Sequence, residues 1–428
     1  MATKVATPRA LVRSFSTLPE PCPELAESGE EILSSKSMDT VESNSSDSAF
    51  SFPESLENFR KNAKKSTDPY VQLDFAQYLL EAANQIGQDP SKLGIIDPSG
   101  GELAMSEEQK MSMRKLLEAE ALRWFKRLAT SGVKAMGRQP LADAQFILAE
   151  YYGKGLLTLP VDHSRAFNLY VQASKQNHPT ATYRAAVCYE VGAGTKRDNG
   201  RAVQFYRKAA ALCDHLAMHK LALILLYGKL GQKKNLKEGI TWLKRAANAS
   251  DANHPEALHD LAQCYENKGG CPVLIPDENY SFELYARAAQ FGFAPSQYRL
   301  GTCYEYGLLG CQVDPSNSIK WYSKAAEQGF PDAELALSSW YLSGAHGVLQ
   351  QSDKDAYMWA MKAAERGYAK AEYQIGNYLE IGIGVLVSTT EAMRWYERSA
   401  ARGYKRAAQR IQDIKKANKK KPGRCTIS

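Results

Sequence analysis

The sequence predicts an all-α solenoid of about eight helical hairpins, and three observations carry that prediction. The first is recurrence: a pair of small residues appears as Ala173-Ser174, Ala209-Ala210, Ala246-Ala247, Ala288-Ala289, Ala325-Ala326, Ala363-Ala364 and Ser399-Ala400, at intervals of 36, 37, 42, 37, 38 and 36 residues. The second is a position that is always small, held by Ala149, Ala186, Ala222, Ala262, Gly301, Ser338 and Gly376. The third is an aromatic four residues before the pair, at Phe205, Trp242, Trp321, Trp359 and Trp395. A small residue lets two helix backbones approach closely, and this aromatic is expected to fill the space beside it. Each hairpin leaves an apolar face that only the next hairpin covers, so the copies stack.

The best-formed copy runs from Ser296 to Pro331. Its first helix carries Leu300, Gly301, Cys303 and Tyr304; Asp314, Pro315 and Ser316 open the second, which carries Ile319, Tyr322, Ala325 and Ala326 at helical spacing. Seven copies are clear. An eighth, degenerate copy runs from Phe75-Ala76-Gln77-Tyr78-Leu79 to Trp124-Phe125-Lys126-Arg127, its halves separated by a Gly-, Pro-, Ser- and Asp-rich insertion near residues 85–108. The expected organisation is therefore an arm over residues 1–66, one solenoid over 67–412 and a tail over 413–428. The arm is rich in Ser, Pro and Glu and reads as disordered. Lys4, Arg9 and Arg13 give its start a faint look of a mitochondrial transit peptide, which Pro8 interrupts.

The formal charge of +7 is local. Lys415, Lys416, Lys419, Lys420, Lys421 and Arg424 account for nearly all of it, which argues against a nucleic-acid groove along the solenoid. These bases precede Cys425-Thr426-Ile427-Ser428, a C-a-a-X pattern whose terminal Ser favours farnesylation. A prenyl chain beside a polybasic patch gives stable membrane attachment. The expectation is a lipid on Cys425 and membrane contact through the six bases. No apolar run reaches the ~20 residues of a membrane span. Prenylation is cytosolic chemistry, so the other cysteines are expected to be reduced. Cys188, Cys264 and Cys303 share one repeat position with Tyr151, Ile224, Trp340 and Tyr378, read as buried and apolar.

No residue set specifies catalysis. His215 and His219 stand four apart on a helix, but without a following Glu or a third ligand they do not make a metal site. His178 and His254 precede Pro at the turn between repeats. The Gly-x-Gly pairs at Gly153/Gly155, Gly192/Gly194 and Gly382/Gly384 follow no strand and read as turn residues rather than phosphate cradles. The chain is expected to have no catalytic residues, no metal and no cofactor.

The period and the residues at Leu300–Gly307 and Ile319–Gly329 resemble the Sel-one-like repeat, a relative of the tetratricopeptide repeat. Longer segments, among them AQFILAEYYGKG (Ala144–Gly155) and LGTCYEYGLLGCQVDPSNSIKWYSKAAEQG (Leu300–Gly329), are similar to the fungal chitin synthase activator, or regulatory factor, family. The prenylation signal is similar to that family's C-terminus. The resemblance implies a non-catalytic, membrane-tethered scaffold that binds and activates or localises a chitin synthase, with septin-associated adaptors as further partners. The place implied is the cytoplasmic face of the plasma membrane at the division septum or bud neck. A general protein–protein adaptor at membranes, in signalling or membrane-protein quality control, is the alternative. Cys264/Cys271 and Cys303/Cys311 look like the within-repeat disulfides of secreted bacterial relatives, but Cys188 has no such partner.

Overall fold

A computed structural model describes residues 54–88, 106–130, 140–266 and 272–419. Among these residues there are eighteen helices and, instead of strands, one isolated bridge between Ala345 and Leu349. The chain divides into two compact units, Met1–Leu221 and Ala222–Ser428.

The first unit begins with α1 (Glu54–Lys65), α2 (Pro69–Gln88) and α3 (Glu107–Thr130). Helix α1 corrects the reading of residues 1–66 as one disordered arm. Leu56 and Ala63 are fully buried, and the Phe59 ring sits 5.3 Å from Phe75 and 5.4 Å from Tyr78. Leu56, Phe59 and Ala63 lie at i, i+3 and i+7, an apolar stripe that the polar average of the arm conceals. Helices α2 and α3 pack together as the degenerate hairpin, and most of its insertion, residues 89–105, lies outside the described residues. Two regular hairpins follow, α4 (Ala142–Lys154) with α5 (His163–Lys175) and α6 (Pro179–Val191) with α7 (Asn199–Ala211). The unit boundary falls inside α8 (His215–Tyr227).

The second unit continues with α9 (Leu236–Asn248) and α10 (Glu256–Tyr265), then α11 (Glu278–Gln290), α12 (Ala294–Tyr306), α13 (Pro315–Glu327) and α14 (Pro331–Ser343). It ends with α15 (Asp353–Glu365), α16 (Ala369–Ile381), α17 (Thr389–Ala401) and α18 (Lys405–Lys419). The first helix of each hairpin is called A and the second B.

Every regular B helix starts on a side-chain cap. Asp162, Asp198, Asn235, Asp277, Asp314, Ser352 and Ser388 each accept from the backbone N–H three residues on. Pro315 follows the Asp314 cap at the position where a missing N–H costs nothing. Asp314→Ala is expected to lower unfolding free energy by about 1 kcal/mol, while Asp314→Ser retains most of it. Chemical denaturation of both variants checks this, and equal losses would discount the cap.

Gly194 and Gly384 have a separate reason to be Gly. A Cβ at either would collide with the carbonyl of His163 or Asp353, at the start of the preceding B helix, so each loop lies directly on its predecessor. The sequence reading of these residues as turn residues is correct but omits this contact.

The packing of the small position differs from the expectation. It is Tyr322, three residues before the Ala pair, that fills the space beside Gly301, where a Cβ would lie 2.5 Å from the ring. Tyr396 does the same at Gly376, at 2.6 Å. Tyr206, Tyr285, Tyr322 and Tyr396 are all buried, whereas Phe205, Trp321 and Trp395, each one residue before its Tyr, are only half-buried; before Tyr285 stands Leu284, itself buried. One helical step of 100° turns the two rings onto different faces. Where the B helix has Ala360 instead, Tyr378 of the next A helix is buried and places its OH 2.9 Å from Ser338 Oγ. The position shared with Cys303 is thus buried at Ile224, Cys303 and Tyr378, but half-exposed at Tyr151, Cys188, Cys264 and Trp340.

Candidate interaction surfaces

The buried tyrosines carry a polar joint between repeats. Tyr170 donates to Glu150 at 2.7 Å, Tyr206 to Glu190 at 2.5 Å, Tyr285 to Glu266 at 2.9 Å, Tyr322 to Glu305 at 2.6 Å and Tyr396 to Glu380 at 2.8 Å. In four of these joints the sixth residue of the next A helix supplies a base. Arg184 meets Glu150 at 3.1 Å, Lys220 meets Glu190 at 3.0 Å, Arg299 binds Glu266, and Arg410 meets Glu380 at 2.5 Å. Burial opposes ionisation of Glu150 and Glu380, yet hydrogen bonds from Lys154 and Tyr170, and from Arg410 and Tyr396, outweigh it and lower both pKa values. At the fifth joint the sixth residue is Ala336, and Glu305 has no basic partner among the described residues.

A second joint links the fourth residue of an A helix to the end of its own B helix. Gln176 donates to Gln145 at 3.0 Å and Gln328 to Gln297 at 2.7 Å. In later repeats the pair is ionic, Arg366 to Glu334 at 3.3 Å and Arg402 to Glu372 at 3.1 Å. Glu334 is 1% exposed and one of its carboxylate oxygens has no partner. Burial raises its pKa despite Arg366. A raised acid pKa makes the ionised form a cost that appears as pH climbs through the ordinary carboxylate range and is absent below it. Glu334→Gln is therefore expected to stabilise at pH 7 by roughly 1 kcal/mol and to do nothing below pH ~4. Denaturation of both proteins across pH checks the sign, and a loss at pH 7 would refute it.

Four B helices in the second unit repeat a half-buried Trp under a base. Arg245 lies 4.9 Å from the Trp242 ring centre, Lys324 4.5 Å from Trp321, Lys362 3.7 Å from Trp359 and Arg398 4.2 Å from Trp395. Trp359 also packs on the cluster around Tyr322, Ala325 and Leu337. Each cation–π pair is amphipathic and positively charged, a chemistry suited to an acidic or aromatic partner, and α11 interrupts the series with buried Leu284 at the Trp position. The sequence reading used the Trp residues as packing alone and missed them; the W-x-x-K/R spacing carries the signal.

Helix α18 receives the predicted basic tail. Ala407 is buried, and Ile411 and Ile414 pack on the cluster around Tyr378, Leu379 and Tyr396, while Lys415 and Lys416 are exposed. The helical stretch runs on through Lys419, so the division at residue 413 falls within a helix. Lys420, Lys421, Arg424 and Cys425 lie outside the described residues. No helix among the described residues is long and apolar enough to cross a membrane.

His178 caps α6, its Nδ1 accepting from Ala181 N–H and its Nε2 lying 3.2 Å from Asp143. That leaves it a structural residue, as the sequence implied. Among the described residues no three His, Cys, Asp or Glu side chains form a metal-binding group. Burial pushes the Cys188 thiol up to about 11, so it is not a reactive thiolate at neutral pH. Cys188, Cys264, Cys303 and Cys311 are not disulfide-bonded.

The joints recur at one repeat period in helical hairpins of nearly constant length, and comparison with known families assigns that period. The Sel1 repeat model matches residues 117–133, 142–178, 179–212, 215–251, 255–291, 294–330, 331–368 and 369–404. The chain belongs to the Sel1 repeat family. The match at 117–133 covers the second half of the degenerate first copy. A solved Sel1 repeat protein from Oxalobacter formigenes shares the fold, with 20% identity, a TM-score of 0.53 and coverage of 85% of this chain and 90% of that one.

Among curated Sel1 relatives, Chitin synthase regulatory factor 3 of Schizosaccharomyces pombe is 36% identical over 63% of this chain and 29% of its own length. Chitin synthase regulator SKT5 of Saccharomyces cerevisiae is 33% identical over 83% of this chain and 49% of its own. Its namesake from Malassezia restricta is 38% identical over 86% and 24%. The chain is similar to these named chitin synthase regulators and spans about half their length or less. Their names and the repeat fold accord with a chain that is not an enzyme.

Proposed function

We propose that this Sel1 repeat chain is a non-catalytic, membrane-tethered scaffold that binds a chitin synthase and activates or localises it. The observation that carries the reading is likeness to named chitin synthase regulators across most of the repeats, at 33–38% identity for two of them. The exposed Lys415 and Lys416 on α18, leading towards Cys425, support a tether on the inner leaflet of the plasma membrane. Tethering confines the solenoid beside the synthase's cytosolic regions and raises its effective concentration there. Binding then favours an active or retained state of the enzyme through differential affinity. The septum or bud neck is the expected place of action, with septin-associated adaptors as further partners.

Gentle-detergent pull-down from cells carrying an N-terminally tagged chain tests this. Recovery of a chitin synthase, lost when the repeats are deleted and kept when residues 1–53 are, supports the reading. Recovery of signalling or quality-control proteins without a synthase replaces it with a general membrane adaptor.

A further inference from the structure

A groove of about 480 Å³ lies between α1 and α3, lined by Arg60, Lys64, Leu116, Arg123, Trp124 and Arg127. Arg60 is engaged by Glu120, the one acid in the lining, through two hydrogen bonds of 3.1 and 2.8 Å. Lys64 and Arg123 have no acidic partner among the described residues, and Arg127 lies 5.4 Å from the Trp124 ring centre. Leu116 is 56% exposed at the groove. The surface is therefore an apolar strip between uncompensated positive charges. Such a surface takes a chain segment in which acids alternate with apolar residues, because each type finds its complement.

The chain contains such a segment a few residues before α1 in the sequence. Between Glu20 and Asp47 there are eight acidic residues and one base, Lys36, with Leu25, Ile32 and Leu33 interleaved among Glu24, Glu27, Glu30 and Glu31. The segment leads directly into α1, which supplies Arg60 and Lys64. From Glu54 to Lys64 a helix rises about 15 Å. Residues 48–53 span up to about 20 Å when extended, so the acidic stretch reaches the whole groove. A covalently linked segment also sees the groove at an effective concentration of roughly millimolar.

We propose that the α1–α3 groove is the docking site of this chain's own acidic segment, residues 20–47. The contact is independent of any synthase.

The test uses the full chain with p-benzoylphenylalanine in place of Leu116, irradiated and mapped by mass spectrometry. Crosslinks are expected to fall within residues 20–47. They are expected to drop about tenfold in K64E/R123E, whose substituted side chains are exposed. The same drop is expected in E27Q/E30Q/E31Q, which leaves every described residue intact, and in about 0.5 M salt. Crosslinks mapping elsewhere, or insensitive to both charge variants, overturn the proposal. Crosslinks joining isotopically labelled to unlabelled copies overturn it as well, since they make the occupant a second molecule.

Discussion

Replacing Tyr322 by Ala is expected to destabilise the α12–α13 hairpin by about 3–5 kcal/mol, the usual cost of deleting a buried aromatic. Three features put it at the upper end. The ring lies against Gly301, where no Cβ is available to move into the space it leaves, so collapse of the cavity would require the two backbones to shift. It also lies tilted 5.5 Å from Tyr298, whose ring in turn lies 5.5 Å from Phe330. Its OH donates to Glu305, which lacks the base that its counterparts have, so deletion removes a hydrogen bond that no ion pair backs up. Tyr322→Phe removes only the last of these and is expected to cost roughly 1 kcal/mol. Because repeats unfold locally, the loss is best read as faster amide exchange in α12 and α13 than in α16 and α17. A loss below about 1.5 kcal/mol in Tyr322→Ala would mean that the ring is not the hairpin's central packing element.

The hairpins themselves were legible because recurrence averages out local noise. The Ala pairs, the small position and the Asp314-Pro315 start all lie where their spacing implies. What spacing alone did not separate was Trp321 from Tyr322. Both are aromatic and adjacent, and only the angular step along the helix decides which meets Gly301 and which is left half-exposed under Lys324. Helix α1 escaped for a different reason. Its three inward residues sit in a polar, Ser- and Glu-rich context, so composition pointed to disorder while the 3.6-residue period pointed to packing.

The polar joints were illegible for a third reason. Tyr206 and Glu190, or Gln297 and Gln328, are each unremarkable in isolation, and become a pair only when two helices are aligned. Yet they explain substitutions that look arbitrary along the chain. The Tyr–Glu pair gives way to Leu243 with Leu226 in one repeat and to Ala360 with Leu342 in another, so polar and apolar solutions change together at both ends. Leaving one end polar would bury an unpaired group, at a cost of about 1–3 kcal/mol. The joints thus account for the chain's irregular copies without assigning them a partner.

Cys425→Ser is expected to lower partitioning onto anionic vesicles by at least about tenfold, because one lipid chain binds with an association constant near 10⁴ per molar and vesicle lipid is typically millimolar. The basic residues act separately. Each contributes up to about 1 kcal/mol near an anionic leaflet and is screened by salt, so the residual binding of Cys425→Ser should vanish near 0.5 M salt while that of the prenylated chain persists. Lys415 and Lys416 are exposed on α18, whose Ile411 and Ile414 pack on the core, so the helix presents both bases to solvent. Changing both to Gln should therefore weaken attachment without releasing it. The same variants separate tethering from recognition in cells. If the synthase is still recovered with Cys425→Ser but is no longer activated or localised, the lipid supplies proximity and the repeats supply binding. Normal activation and localisation by Cys425→Ser at endogenous level would remove tethering from the mechanism and leave the solenoid to act by affinity alone.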